Sequence, residues 1–534
     1  MSRRRKAWLI FGRLAKPREP CQGFLMATAL ALILYLPFRS IQWDLNGVAE
    51  AWAIDSGGAE LISPNHMLYR LLGFVIIALA RSIGYSGHSA EIMQYITVII
   101  SGVGIGLFWR WIKNLTDDML AASVASGFLA ITWAFWAFST DVYYITPAAA
   151  MVAGALVVFS SRSRLTYKAI IKLGLLVALA ILFWQANIFL IPTIVLGLLW
   201  TRRASTLKES LPGVGLFLSV AGTVIGSAYL LAGVLIFHLS SIRDFANWLL
   251  SHGAQGSITF WGKWSADRIP AAAISALASF VPVWEGLGLR DALKGSFSWD
   301  KIHAQLSLAA FMLLCIVTGI GAIRRRGAVK PVYRNLVWLG LAYCAYIPFV
   351  IWWDPYEPKW FVIPNLFFVA MLAQLWGILF NRRRRYVIIG AFIVIIATAN
   401  FAYTIWPRHS RPNPNIRLAQ CFVANATERD TVVVTDWDWF AYAGYFFGYR
   451  GSHLSLVGDA MDKSRKVKLI SDSVANANKQ GGHVYIQDLS KYSPAEKAFI
   501  ESLTRFIPAD FDIFERRHAF SCYDSSFLEI VQTR

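Results

Sequence analysis

Six ionisable side chains stand beside long apolar runs, where chemistry at a membrane face would need them. Asp44 lies in Ile41-Gln-Trp-Asp-Leu-Asn-Gly-Val-Ala-Glu50, only a few residues after an apolar run. A carboxylate at that depth sits by the membrane face, partly shielded from water, a setting in which basicity can be raised and a proton taken. The same position suits an N-cap for a helix over about 45–54, and the two roles are compatible. His66 sits in Ser63-Pro-Asn-His-Met-Leu-Tyr-Arg70 at the start of an amphiphilic stretch, as a structural interface residue or as part of a site. Asp141 ends an apolar run in Ser139-Thr-Asp-Val-Tyr-Tyr144, where it either caps the next helix or faces a ligand. Glu357 and Lys359 lie in Trp352-Trp-Asp-Pro-Tyr-Glu-Pro-Lys-Trp360, a charged, aromatic hairpin between two apolar runs. A lysine there is suited to snorkelling, with its stem in the apolar layer and its ammonium in water.

The elements that must position these groups are set by composition. Of 534 residues, 56% are hydrophobic and only 16% charged, against about 25% in ordinary soluble domains. Too few polar residues remain to cover so large an apolar interior. That excludes a soluble enzyme, a disordered chain and a disulfide scaffold, and leaves a polytopic helical membrane protein. The 22 Trp and 20 Tyr fit the aromatic belts of the two membrane interfaces.

The formal charge of +19 belongs to short basic clusters between the apolar runs: Arg3-Arg4-Arg5-Lys6, Arg162/Arg164, Arg202-Arg203, Arg324-Arg325-Arg326 and Arg382 to Arg385. This is the positive-inside pattern, an orientation signal and not a nucleic-acid patch. Apolar windows give eleven spans, near 23–38, 91–110, 119–139, 143–160, 168–186, 187–201, 213–238, 303–323, 334–353, 360–380 and 386–406. Two more stretches, 66–83 and 269–289, read as re-entrant or interface-lying, because a crossing at 66–83 would turn Arg162/Arg164 and Arg202-Arg203 outward. If both cross, the count rises to thirteen and the C-terminus still ends outside. All four motifs then face the same, extracytoplasmic side, with the N-terminus in the cytoplasm.

Residues 407–534 carry 16 Lys+Arg and 15 Asp+Glu, so the bias of the membrane part (1–406) stops there. Pro407–Pro414 reads as the boundary. Beyond it, strands at 431–435, 453–457, 483–487 and 526–532 alternate with helices at about 437–447, 463–478 and 494–506. That pattern implies a small α/β domain. Cys421 and Cys522 are its only cysteines, and they either pair in an oxidising compartment or stay as buried thiols. Asp436-Trp-Asp-Trp439 follows the first strand, where open α/β sheets hold ligands, though its aromatics also suit packing onto the membrane part. Asn425-Ala-Thr427 has the form of a glycosylation sequon, significant only in a eukaryotic lumen.

The chain resembles the GT-C superfamily of integral-membrane glycosyltransferases, such as the protein O-mannosyltransferases and the aminoarabinose–lipid A transferases. Asp44, followed by Ala49-Glu50, matches the aspartate of that family's first outside loop. Pro64-Asn-His-Met-Leu-Tyr69, Asp141-Val-Tyr143 and Glu357-Pro-Lys-Trp-Phe-Val-Ile-Pro364 match its next three elements in order, over roughly residues 23–410. Two departures stand out. Leu45 replaces a second acid that often follows the loop aspartate, which weakens a paired-carboxylate or metal site, and Trp360 replaces the usual Tyr.

The resemblance implies a sugar donor on a polyprenyl phosphate or pyrophosphate, an extracytoplasmic glycan, lipid or protein acceptor, and an inner-membrane location in a bacterium. It makes Asp44 the general base and Lys359 a contact to the lipid phosphate. Glu50, His66, Asp141 and Glu357 become positioning or substrate-binding residues. No cofactor is called for, and a divalent cation stays open. Two rival classes leave different marks. A flippase or transporter wants charges within the spans and inverted repeats; the spans carry almost no charge and the sequence shows no repeat. A polysaccharide polymerase or ligase would use arginines of a large outside loop, and Arg243, Arg268 and Arg290 in 239–302 keep that reading open.

Overall fold

The computed structural model describes residues 19–161, 165–200, 207–250, 262, 264–282, 302–379, 384–435, 438–457, 462–523 and 525–533. The basic clusters at 3–6, 162/164 and 202–203, together with Arg290, Asp436 and Trp437, lie outside them.

Among the described residues, seven helices are long and apolar enough to cross a membrane, or eight if one bent pair counts as a single span. The expected spans at 143–160, 168–186 and 187–201 appear as shorter helices, Ile145–Ser160, Tyr167–Phe183 and Leu190–Trp200. Each falls below the ~20 residues of a perpendicular crossing. Side-chain caps mark several starts: Asp118 accepts from the Leu120 and Ala121 amides, and Thr166 from that of Ala169. Helices inside an apolar layer gain little from hydrophobic burial and associate through close packing. Ser89–Thr116 shows how. Gly102, Gly104 and Gly106 press it onto Leu32, Ala150 and Thr28, leaving no room for a Cβ.

The expected single span at 119–139 is two helices, Met119–Ile131 and Trp133–Ser139, bent by 68° at Thr132. A break inside an apolar layer must satisfy the backbone groups it frees. Here residues 279–280, in the ambiguous stretch 269–289, do so. The amides of Trp133 and Ala134 donate to the carbonyls of Phe280 and Ser279 at 3.2 and 2.9 Å. The Asn400 side-chain amide donates to Ile131 O and Phe280 O at 2.6 and 2.9 Å. The helix feeding that segment, Arg268–Ala278, has 11 residues, too few to cross alone. The other ambiguous stretch is the helix Met67–Ser82, of 16 residues.

The C-terminal residues form a five-stranded mixed sheet in the order β2-β1-β3-β5-β4. β1 (Thr431–Val434), β2 (Ser452–Ser455) and β3 (Val484–Gln487) are parallel. β4 (Phe514–Cys522) and β5 (Ser525–Thr533) add an antiparallel hairpin, of which only β5 was expected. Alternate residues face two cores, as strand periodicity requires. Val433, Val484 and Ile486 pack with Ile470 and Val474 of the helix Lys463–Gln480. Val432, Val434 and Tyr485 pack with Phe422 and Trp439, in a core continuous with the membrane helices. Cys421 and Cys522 are joined in a disulfide that ties the helix Pro414–Asn425 to β4.

Candidate functional site

The four sequence motifs meet at one end of the helical bundle. Asp44 does cap the helix Leu45–Ser56, with Oδ1 accepting from the Asn46 amide at 3.0 Å. Its second oxygen, Oδ2, has no hydrogen-bond partner among the described residues, and the side chain is half-buried. Capping therefore occupies one oxygen and leaves the other to meet a substrate. Gly47 lets this helix press against the Val142 carbonyl, which a Cβ would overlap.

Asp141 does not cap the following helix, whose N-terminal residue Tyr144 lacks a side-chain cap. Its carboxylate is fully buried and accepts from Arg408 at 2.6 Å, the Val142 amide at 2.7 Å and the Asp44 amide at 3.2 Å. Burial raises the Asp141 carboxyl above the usual carboxylate range, against the opposing pull of Arg408. Asp141 thus holds the Asp44 backbone and has its own oxygens engaged. Arg408 was not among the expected site residues, since it lies in the segment read as a domain boundary.

Glu50 is buried and takes both prongs of Arg70, at 2.7 and 3.0 Å. His66 Nδ1 is 3.2 Å from the same carboxylate, and its ring lies 4.2 Å from that of Tyr144. Tyr144 in turn stacks on Tyr143 at 4.7 Å. The 63–69 segment is held from outside: Tyr229 donates to Pro64 O at 2.7 Å, and the Gln185 amide to Asn65 O at 2.8 Å. Glu50 and Arg70 form an ion pair, and the His66 ring lies between that carboxylate and the Tyr144 ring.

Lys359 does not snorkel. Its side chain is 6% exposed, and its ammonium lies 3.4 Å from Glu357 and about as close to the rings of Trp360 and Tyr143 as cation–π contact requires, at 5.2 and 5.5 Å. The charges of Glu357 and Asp44 both act on it. A buried cation facing carboxylates and aromatic faces is suited to an anion brought in by a ligand. The hairpin is braced by Arg268, buried, whose guanidinium donates to Trp352 O at 2.6 Å and Ile351 O at 3.2 Å. Ser275 donates to Pro355 O at 2.6 Å. Arg268 is thereby used in ending the helix Tyr333–Trp353.

In the C-terminal part, Trp439 is buried and its indole N–H donates to Gln487 Oε1 at 3.0 Å, so it packs and does not face a ligand. Among the described residues, no group of three or more His, Cys, Asp or Glu stands together as a metal site would require.

No family model matches the sequence, and no curated protein matches it. Solved structures do. The chain is similar to ArnT from Cupriavidus metallidurans bound to undecaprenyl phosphate, at 14% identity and a TM-score of 0.51, covering 95% of this chain and 97% of that one. It is also similar to the Archaeoglobus fulgidus oligosaccharyltransferase in complex with Zn and sulfate, at 12% identity and a TM-score of 0.55, over 96% and 73% of the two chains. The archaeal oligosaccharyltransferase AglB from the same organism, in complex with an inhibitory peptide and a dolichol-phosphate, matches at 12% identity and a TM-score of 0.50, over 97% and 74%. This chain shares its fold with these solved structures over 95–97% of its length.

Proposed function

We propose that the protein is a membrane glycosyltransferase that moves a sugar from a polyprenyl-phosphate-type lipid to an acceptor outside the cytoplasm. The observation that carries this reading is the pairing, at one end of a bundle with this fold, of an Asp44 carboxylate oxygen that no described residue bonds and a buried cation on Lys359. Structural neighbours hold undecaprenyl phosphate and dolichol-phosphate, and such a lipid would bring its phosphate to the membrane face where Lys359 lies.

In the reaction, an acceptor nucleophile attacks the anomeric carbon while Asp44 Oδ2 takes its proton. The bond between that carbon and the phosphate oxygen breaks, and the lipid phosphate leaves with the bonding electrons. Lys359 stabilises the charge that grows on it. Tyr143 presents an aromatic face beside the ammonium. Asp141 with Arg408, and Glu50 with Arg70 and His66, keep the surrounding backbone rigid. The Cys421–Cys522 disulfide belongs in an oxidising compartment, which supports a C-terminal domain outside the cytoplasm of a bacterial inner membrane and the basic clusters within it. Residues 407–534 form that domain in this reading, and 1–406 the membrane part.

The test is transfer itself. Membranes charged with radiolabelled lipid-linked sugars should lose label from the lipid and gain it in an acceptor only when the protein is present. Equal transfer from membranes lacking it would overturn the assignment.

A further inference from the structure

The Asp44 loop is tied down almost atom by atom, and most of the ties come from far along the chain. Trp43, the residue before Asp44, has φ of 52°, a left-handed conformation costly for a bulky side chain. Such a conformation persists only where surroundings over-determine it. Here Tyr442 donates its hydroxyl to Trp43 O at 2.6 Å, and Asn413 Nδ2 donates to Gln42 O at 2.6 Å. Asn413 also donates to the Tyr442 hydroxyl at 3.2 Å, linking the two ties. His409 Nδ1 donates to Arg39 O at 3.0 Å, and the Ile41 amide donates to Arg408 O at 2.8 Å. The Arg408 side chain reaches Asp44 through Asp141. Besides the Asp141 bond to the Asp44 amide, the membrane part adds bonds from the Ser40 amide to Thr140 O at 2.8 Å and from Gln94 Nε2 to Ser40 O at 2.7 Å.

We propose that Arg408, His409, Asn413 and Tyr442 belong to the catalytic centre: they hold the loop before Asp44 in its strained form, and Tyr442 is the positioning residue that sets the direction of the Asp44 carboxylate. The inference rests on Asp44 being the base. A helix cap fixes where Asp44 stands along the helix axis. The turn at Trp43 fixes how the chain enters that cap, and so where Oδ2 points. Without the Tyr442 hydroxyl, Trp43 relaxes towards negative φ and the peptide between Trp43 and Asp44 rotates. A misplacement of about 1 Å is enough to slow a reaction by up to ~100-fold. The C-terminal domain thereby becomes a working part of the centre and not an appendage.

A neighbouring tyrosine supplies the control. Tyr445, on the same helix Asp438–Phe447, also bonds the membrane part, with its hydroxyl 3.1 Å from Asp55 Oδ2 and accepting from the Ala90 amide at 3.1 Å, but among the described residues it makes no hydrogen bond to 39–44. Tyr442→Phe and Tyr445→Phe each remove one hydroxyl from the same docking face. In full-length protein in native membranes, Tyr442→Phe should lower kcat about tenfold, the equivalent of one hydrogen bond of ~1.4 kcal/mol, with the acceptor KM unchanged. Tyr445→Phe should keep the wild-type kcat. Asn413→Asp supplies a second variant. It retains the cap that Asn413 gives to the Asn415 amide, loses the bond to Gln42 O, and should also lower kcat with KM unchanged. A wild-type kcat in Tyr442→Phe, an equal loss in both tyrosine variants, or a change confined to KM would overturn the proposal. If instead Asp44→Asn transfers normally, it is the assignment of the base that fails.

Discussion

Replacing Lys359 by Met separates a phosphate contact from a structural cation. Met keeps an unbranched stem of similar length, so the packing against Tyr143 and Trp360 survives while the charge goes. The cost to folding is modest, because the partner Glu357 is 44% exposed and water takes over its solvation. The cost to transfer is larger. A hydrogen bond to a charged group contributes about 1.5–3 kcal/mol, and 1.36 kcal/mol is tenfold in rate, so initial rates at limiting donor should fall about ten- to a hundredfold. Lys359→Arg retains a cation but must fit a larger planar group beside two rings in a buried site, so it should recover only part of the rate. The assay is initial transfer rate against donor concentration in membranes, with protein level and thermal stability measured alongside. Equal, near-normal rates for both variants at limiting donor would refute the phosphate role and leave Lys359 as a packing residue.

Gly47→Ala should lower transfer without abolishing insertion into the membrane, because the added methyl forces the Asp44-capped helix off the Val142 carbonyl; rates and membrane levels of the variant check this, and an unchanged rate would contradict it. Glu529 is partly buried, which raises its carboxyl, but the bonds from Arg517 and His483 more than offset that and hold it below the usual carboxylate range. A depressed carboxylate contributes stability that is present above its unfolded value, about 4.3, and is lost as pH falls through its folded value. Melting temperature should therefore drop as pH is lowered through that window, and Glu529→Gln should flatten the dependence. Cys421→Ser should cost about 2–5 kcal/mol in the C-terminal domain, read as a lower melting temperature and the loss of a mobility shift between reduced and oxidised gels.

How much of this was visible in the residues differs by element. Long apolar runs such as 91–110 and 303–323 announced their helices because length and composition alone decide them. The four charged motifs were legible because ionisable groups at the ends of apolar runs are costly and so stand out. Their convergence was not, since it depends on contacts such as that between Asp141 and Arg408, 267 residues apart. Arg408 was hidden in a Pro-rich stretch whose composition speaks of a boundary, although its carbonyl and side chain both serve the Asp44 loop. The break at Thr132 has no Pro or Gly to announce it; its freed amides are satisfied by Ser279 and Phe280, and no local pattern records that. Strand β4 was missed because Glu515, Arg516, Arg517 and His518 interrupt its apolar alternation on an edge strand, where charged residues guard against further pairing.

In the proposed reaction Asp44 takes the acceptor's proton during sugar transfer. Asp44→Asn preserves volume and the cap to the Asn46 amide while removing the base. The direct measurement is single-turnover transfer of radiolabelled sugar from the lipid donor, wild type against Asp44→Asn, at equal membrane levels. A loss of at least ~100-fold, within the range of general-base catalysis, is expected. Transfer at the wild-type rate would contradict the account and leave Asp44 as a helix cap.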